Sequence, residues 1–97
     1  MFLKQGMEAE YIKRHDAIWP ELKKLLTDQG IYDYSIFFDS ETNILFAVRK
    51  MKSGEDRHVR DESGVMQRWW DYMADLMEVN PDNSPKVVDL NEVFYME

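Results

Sequence analysis

The chain has 97 residues, nineteen acidic against twelve basic side chains for a formal charge of −7, and no cysteine. That length makes one domain; the missing cysteine excludes disulfides and fits a reducing compartment; and the negative field would repel a phosphate backbone, so no nucleic-acid partner is expected. No apolar run approaches the ~18 residues of a membrane helix, and Met1-Phe2-Leu3-Lys4 is too short a start for a signal peptide, so a cytoplasmic protein is expected.

In chain order, Met1–Lys4 reads as a short strand ending at the breaker Gly6. From Glu8 the period becomes helical, with Tyr11, His15 and Ile18 spaced four and three apart. Pro20 lacks an N–H and cannot sit deep in a helix. One helix should therefore end near Asp16 and a second start with Pro20 in its first turn. The second runs through Leu22, Leu25 and Leu26 to a stop at Gly30. Ile31–Asp39 alternates as a strand, with Tyr32, Tyr34, Ile36 and Phe38 expected on one face. Ser40-Glu41-Thr42-Asn43 is a turn, and Ile44–Met51 returns to make a hairpin.

Ser53-Gly54 begins another polar helical region, interrupted near Ser63-Gly64. An apolar stripe from Val65 to Val79, through Met66, Trp69, Trp70, Met73, Leu76 and Met77, predicts a long helix. Asn80-Pro81-Asp82-Asn83-Ser84-Pro85 is a turn-rich loop, and Val87–Met96 is expected to close the chain as a strand.

The order strand, helices, two strands, helix, strand is that of an α+β, ferredoxin-like split βαβ domain with an antiparallel sheet. Helices then cover one sheet face, and the other must be solvated, bind a ligand or pack on a second copy. A domain this small buries only roughly two-thirds of its unfolded surface. With no disulfide and no Cys/His cluster for zinc, self-association is the remaining source of stability. Two sheets face to face would make a dimeric α/β barrel.

Only two histidines are present, His15 and His58, and each is a candidate acid or base near neutral pH. His58 lies in the charged run Glu55–Glu62, which reads as a solvated face. His15 is better placed, because Tyr11 projects from the same helical face one turn earlier. Its helix C-terminal position and Asp16 favour the imidazolium while Lys13 and Arg14 oppose it, which leaves the direction open. Trp69 and Trp70 point to neighbouring sectors of one helix. Each reads first as core, although one can wall a ligand such as the apolar face of a sugar. Tyr34 likewise reads as packing, with a hydroxyl that needs a partner when buried. No HExxH, phosphate loop, nucleotide fingerprint or nucleophile elbow is present. The residues by themselves lead to a cofactor-free, aromatic-lined site with one histidine.

The stretch Tyr11-Ile-Lys-Arg-His15-Asp-Ala-Ile-Trp19-Pro20-Glu21-Leu22 resembles the opening helical segment of the L-rhamnose mutarotases. So do Gln67-Arg68-Trp69-Trp70 with Tyr72-Met73 and Asp75, the Asn80–Pro85 loop, and Glu92-Val93-Phe94-Tyr95. The resemblance implies a ferredoxin-like homodimer acting on L-rhamnose without cofactor or metal. It places the proton donor on His15 and the sugar contacts on Tyr11, Tyr34, Trp69 and Trp70. Members of that family carry several residues ahead of the position of Met1, so a short first strand and lowered stability are expected. The Arg57–Glu62 run is more charged than the family's corresponding helix.

The implied reaction opens the pyranose ring, rotates C1–C2 and recloses on the other carbonyl face. His15 would protonate the ring oxygen, Tyr11 and Tyr34 would hold hydroxyls, and one tryptophan would pack on the sugar. Two other readings share this fold: a cofactor-free monooxygenase, which would consume oxygen, and a sugar-binding module, which would leave anomer exchange unchanged.

Overall fold

The computed structural model describes residues 1–52 and 63–97. The charged run with His58, and the helical region expected from Ser53, lie outside the described residues. The elements are α1 (Glu8–Asp16), α2 (Pro20–Asp28), β1 (Ile31–Asp39), β2 (Ile44–Met51) and α3 (Val65–Met73), a small α+β arrangement. Among the described residues no helix is long and apolar enough to cross a membrane.

The break between α1 and α2 falls where proline dictates it. Trp19 is extended, with ψ 130°, as a residue before proline prefers. Pro20 opens α2, where its missing N–H costs nothing. Gly30, with φ 86°, turns the chain out of α2 and into β1. The β1–β2 hairpin is antiparallel, with Phe37 opposite Phe46 and Phe38 opposite Leu45. Its turn is closed by the Asp39 carboxylate, which accepts from the Glu41 N–H at 3.1 Å and the Thr42 hydroxyl at 2.8 Å.

The first strand is short. Phe2 bridges Ile44 and Leu3 bridges Met77, both antiparallel, so the segment 1–4 lies between β2 and the chain after α3. Backbone bonds from Leu45 N to Met1 O (2.8 Å) and from Lys4 N to Leu76 O (2.8 Å) hold it on both sides. The spatial order is thus 76–79, 1–4, β2, β1.

Three expectations need correction. The long helix from Val65 ends at Met73. Residues 74–76 form a turn, closed by Leu76 N to Met73 O at 3.0 Å, because Met77 and Val79 are needed as bridge partners for Leu3 and Pro85. Tyr32 does not continue the Tyr34–Ile36–Phe38 row, because the register shifts between Tyr32 and Ser35. Asp33 there takes φ 47°, and the extra residue moves Tyr32 onto the other side of the ladder. Finally, residues 87–97 make no strand: after Lys86 N bonds Glu78 O at 3.2 Å, the tail runs on exposed, and no neighbouring backbone among the described residues offers it a ladder.

The core gathers Leu3, Leu22, Leu45, Val65, Met73, Leu76 and Met77 between the helices and one face of the hairpin, with Tyr11 and Trp69 in the same cluster. The opposite face of the hairpin carries Phe37, Phe46 and Val48, all exposed.

Candidate active site

The helical face of α1 delivers Tyr11 and His15 one turn apart, and the apolar face of α3 delivers Trp69. The His15 ring stacks on Tyr11, with centroids 4.2 Å apart and planes at 25°. Its edge meets Trp69 at 5.4 Å and 84°. Trp69 also meets Trp19 at 5.1 Å, edge to face. Edge-to-face packing sets the positive ring rim against the neighbour's π face, so each contact favours one orientation of the imidazole.

His15 Nδ1 lies 3.1 Å from the carbonyl oxygen of Tyr11. A carbonyl can only accept, so Nδ1 carries the proton and donates it. Burial lowers the pKa of His15 below the ordinary value, outweighing the Tyr11 carbonyl and Asp16, which raise it. At neutral pH the ring is therefore uncharged, with Nε2 bearing the free lone pair. The direction left open by the local charges is thus decided by burial, a tertiary effect.

Tyr11 is 7% exposed, and among the described residues its hydroxyl has no hydrogen-bond partner. Such a group normally has one. Burial, reinforced by Tyr34 nearby, pushes its pKa above the usual phenol value, so it stays protonated and can only donate or accept a neutral hydrogen bond. Tyr34 is exposed at 42%, and its hydroxyl too is unpartnered among the described residues.

Tyr11, His15, Tyr34, Trp69 and Trp70 all line one cleft of about 1120 Å³, so all five residues singled out in the sequence come together. Trp69 is buried at 7% and grips His15, whereas Trp70 is half-buried and walls the cleft. The sequence reading missed the rest of the aromatic cluster. Trp19 and Tyr72 stack at 5.5 Å and 27°, and both touch Trp69.

The Asn80–Pro85 loop is pinned to α3. Asp71 accepts from Gln67 Nε2 at 2.9 Å and Asn83 Nδ2 at 3.1 Å, and these bonds hold its carboxyl below the usual range. Asn83, at φ 69°, adopts the left-handed conformation that asparagine tolerates and lines the cleft beside Pro85.

The family profile described as L-rhamnose mutarotase matches residues 1–96. A protein of Phocaeicola vulgatus named L-rhamnose mutarotase is 61% identical over 97 residues, covering all of this chain and 93% of that one. One of Bacteroides thetaiotaomicron with the same name is 58% identical, with the same coverage. The crystal structure of an L-rhamnose mutarotase from Formosa agariphila is similar at a TM-score of 0.87 and 52% identity, over 100% of this chain and 93% of that one.

Proposed function

The chain belongs to the L-rhamnose mutarotase family: it is an isomerase that interconverts the α and β anomers of L-rhamnose, and we propose that His15 moves the protons this exchange requires. The observation that carries the assignment is the His15 imidazole, anchored through Nδ1 on the Tyr11 carbonyl and lining a cleft beside a buried phenol that has no hydrogen-bond partner among the described residues.

The neutral tautomer sets the order of events. Nε2 first accepts the proton of the anomeric hydroxyl as C1=O forms and the C1–O5 bond breaks. The imidazolium then gives its proton to the ring oxygen, leaving an open aldehyde and a neutral histidine. Rotation about C1–C2 presents the other carbonyl face, and the same transfers in reverse close the opposite anomer. Atoms and protons balance within sugar and histidine. The donation to the ring oxygen expected from the sequence is thus the second half of a shuttle. Tyr11, protonated throughout, and Tyr34 hold sugar oxygens, and Trp70 covers the apolar face of the ring and its methyl group.

The finer architecture belongs to the same reading. The spatial order 76–79, 1–4, β2, β1, with antiparallel bridges throughout, supports a ferredoxin-like split βαβ sheet. The exposed apolar row Phe37, Phe46 and Val48, with an exposed tail in which Val93 and Phe94 are 94% and 78% exposed, supports a homodimer closed as an α/β barrel. A cysteine-free composition supports a cytoplasmic location.

Proton NMR saturation transfer between the α and β anomeric signals of L-rhamnose tests the function. Faster exchange with protein present is expected. Binding of the sugar with no change in its exchange rate would make the chain a sugar-binding module instead.

A further inference from the structure

Arg14 sits next to His15 in α1, about 100° round the helix and off the cleft that His15 lines, and its side chain, only 13% exposed, makes five polar or ring contacts. Nη1 and Nη2 fork onto the two oxygens of Asp75 at 2.8 and 3.2 Å. Nη1 also donates to the Tyr72 carbonyl at 2.6 Å, and Nε donates to Glu10 at 3.0 Å. The guanidinium carbon lies 4.4 Å from the centroid of the Tyr72 ring. The Tyr72 ring in turn stacks on Trp19, Trp19 meets Trp69, and Trp69 meets His15. A closed circuit of contacts therefore begins at Arg14 and returns to the residue beside it.

We propose that Arg14 is a positioning residue for anomer exchange: its forked guanidinium locks α1 to the end of α3 and so holds the His15 ring against Trp69, with Nε2 toward the cleft. The inference rests on the role given to His15 above. The arrangement also demands arginine. A planar fork can serve a carboxylate, a carbonyl, a second carboxylate and a ring face at once, whereas the single ammonium of lysine cannot. Burial of the His15 ring depends on the same registration of the two helices, so loosening the clamp admits water to the imidazole.

The test compares Arg14→Lys, Arg14→Gln and Asp75→Asn with Lys24→Ala, which removes an exposed ion pair to Asp28 on α2, away from the site. Two readouts are taken on folded protein: the L-rhamnose exchange rate, split into kcat and KM, and the titration midpoint of the His15 ring protons by NMR. All three clamp variants are expected to lose tenfold or more in kcat with a smaller change in KM. In all three the His15 midpoint should rise toward the ordinary value of about 6.5. Lys24→Ala should move neither. Arg14→Lys or Asp75→Asn with the wild-type rate and an unmoved midpoint would overturn the proposal, and both can be read even if Arg14→Gln fails to fold. A midpoint that rises while exchange is unchanged would uphold the clamp and sink the catalytic assignment of His15, so the two ideas fail separately.

Discussion

Replacing His15 by glutamine separates proton transfer from packing. The glutamine amide can still donate to the Tyr11 carbonyl that Nδ1 reaches at 3.1 Å, so that bond, worth about 1 kcal/mol, is replaceable. What is lost is the ring stacked 4.2 Å from Tyr11 and set edge-on 5.4 Å from Trp69. Such aromatic pairs contribute ~0.5–1.5 kcal/mol each. A destabilisation of about 1–3 kcal/mol follows, which at ~4–8 °C per kcal/mol lowers Tm by roughly 4–24 °C and leaves a folded protein at 20 °C. Loss of a positioned acid–base group should cost about 10²–10⁴ in kcat, or ~2.7–5.4 kcal/mol of barrier at 1.36 kcal/mol per decade. Circular dichroism establishes the fold, and saturation transfer between the anomeric signals gives the rate. A folded His15→Gln protein exchanging L-rhamnose within tenfold of wild type would refute the assignment.

The burial that lowers the His15 pKa fixes two pH dependences. On the proposed shuttle the neutral ring is the working form, so kcat should rise with pH through a midpoint below about 6.5 and then stay flat; a rate that climbs towards acid would mean that the imidazolium is the resting form. Stability should be full above about 6.5 and fall as pH drops through the folded-state pKa, because the unfolded chain binds the proton first. That step should be absent from His15→Gln, and it lies above the acid range where Asp75, held below 3.8 by Arg14, comes into play. At the β1 bulge, Asp33→Val puts a β-branched residue at φ 47° and should cost about 1–3 kcal/mol in thermal unfolding and displace Tyr34, whereas Asp33→Gly should keep or raise Tm. Phe46→Glu should convert a dimer to monomer in analytical ultracentrifugation; an unchanged mass would remove the β2 outer face from the interface. Trp70→Ala should raise KM for L-rhamnose about three- to tenfold with kcat little changed, and a lowered kcat at unchanged KM would put Trp70 elsewhere than on the sugar.

Helix boundaries were legible because the chemistry that sets them is local. Pro20 and Gly30 act on their own backbone, and the break between α1 and α2 and the end of α2 fall where those residues require. Features that depend on distant partners were not. The apolar spacing of Leu76, Met77 and Val79 continues the helical period of α3, yet these residues turn and pair with 1–4, whose position no local pattern reveals. The tail at 87–97 has strand composition, but a strand exists only beside another strand, and the single chain offers it none among the described residues. Arg14 was legible only as a positive charge beside His15, because its partners Tyr72 and Asp75 lie 58 and 61 residues away. The bulge at Asp33 did have a signal: aspartate is among the few residues that tolerate a positive φ.

The two tryptophans show how far the sequence could reach into the site. Neighbours on an α-helix differ by about 100° in direction, so Trp69 and Trp70 had to serve different surroundings. Which served which depended on how α3 is rotated against α1, and that rotation is set by Arg14 reaching Asp75 on one side and Leu22, Val65 and Met73 packing on the other. Once it is set, Trp69 is enclosed by His15, Trp19 and Tyr72 and, on the proposed mechanism, acts through the imidazole it holds. Trp70 is left half-buried on the cleft, where an aromatic face can meet the substrate. On the proposed mechanism, catalytic geometry and substrate contact are thus divided between adjacent residues of one helix, and both follow from a helix registration recorded in side chains far apart in the chain.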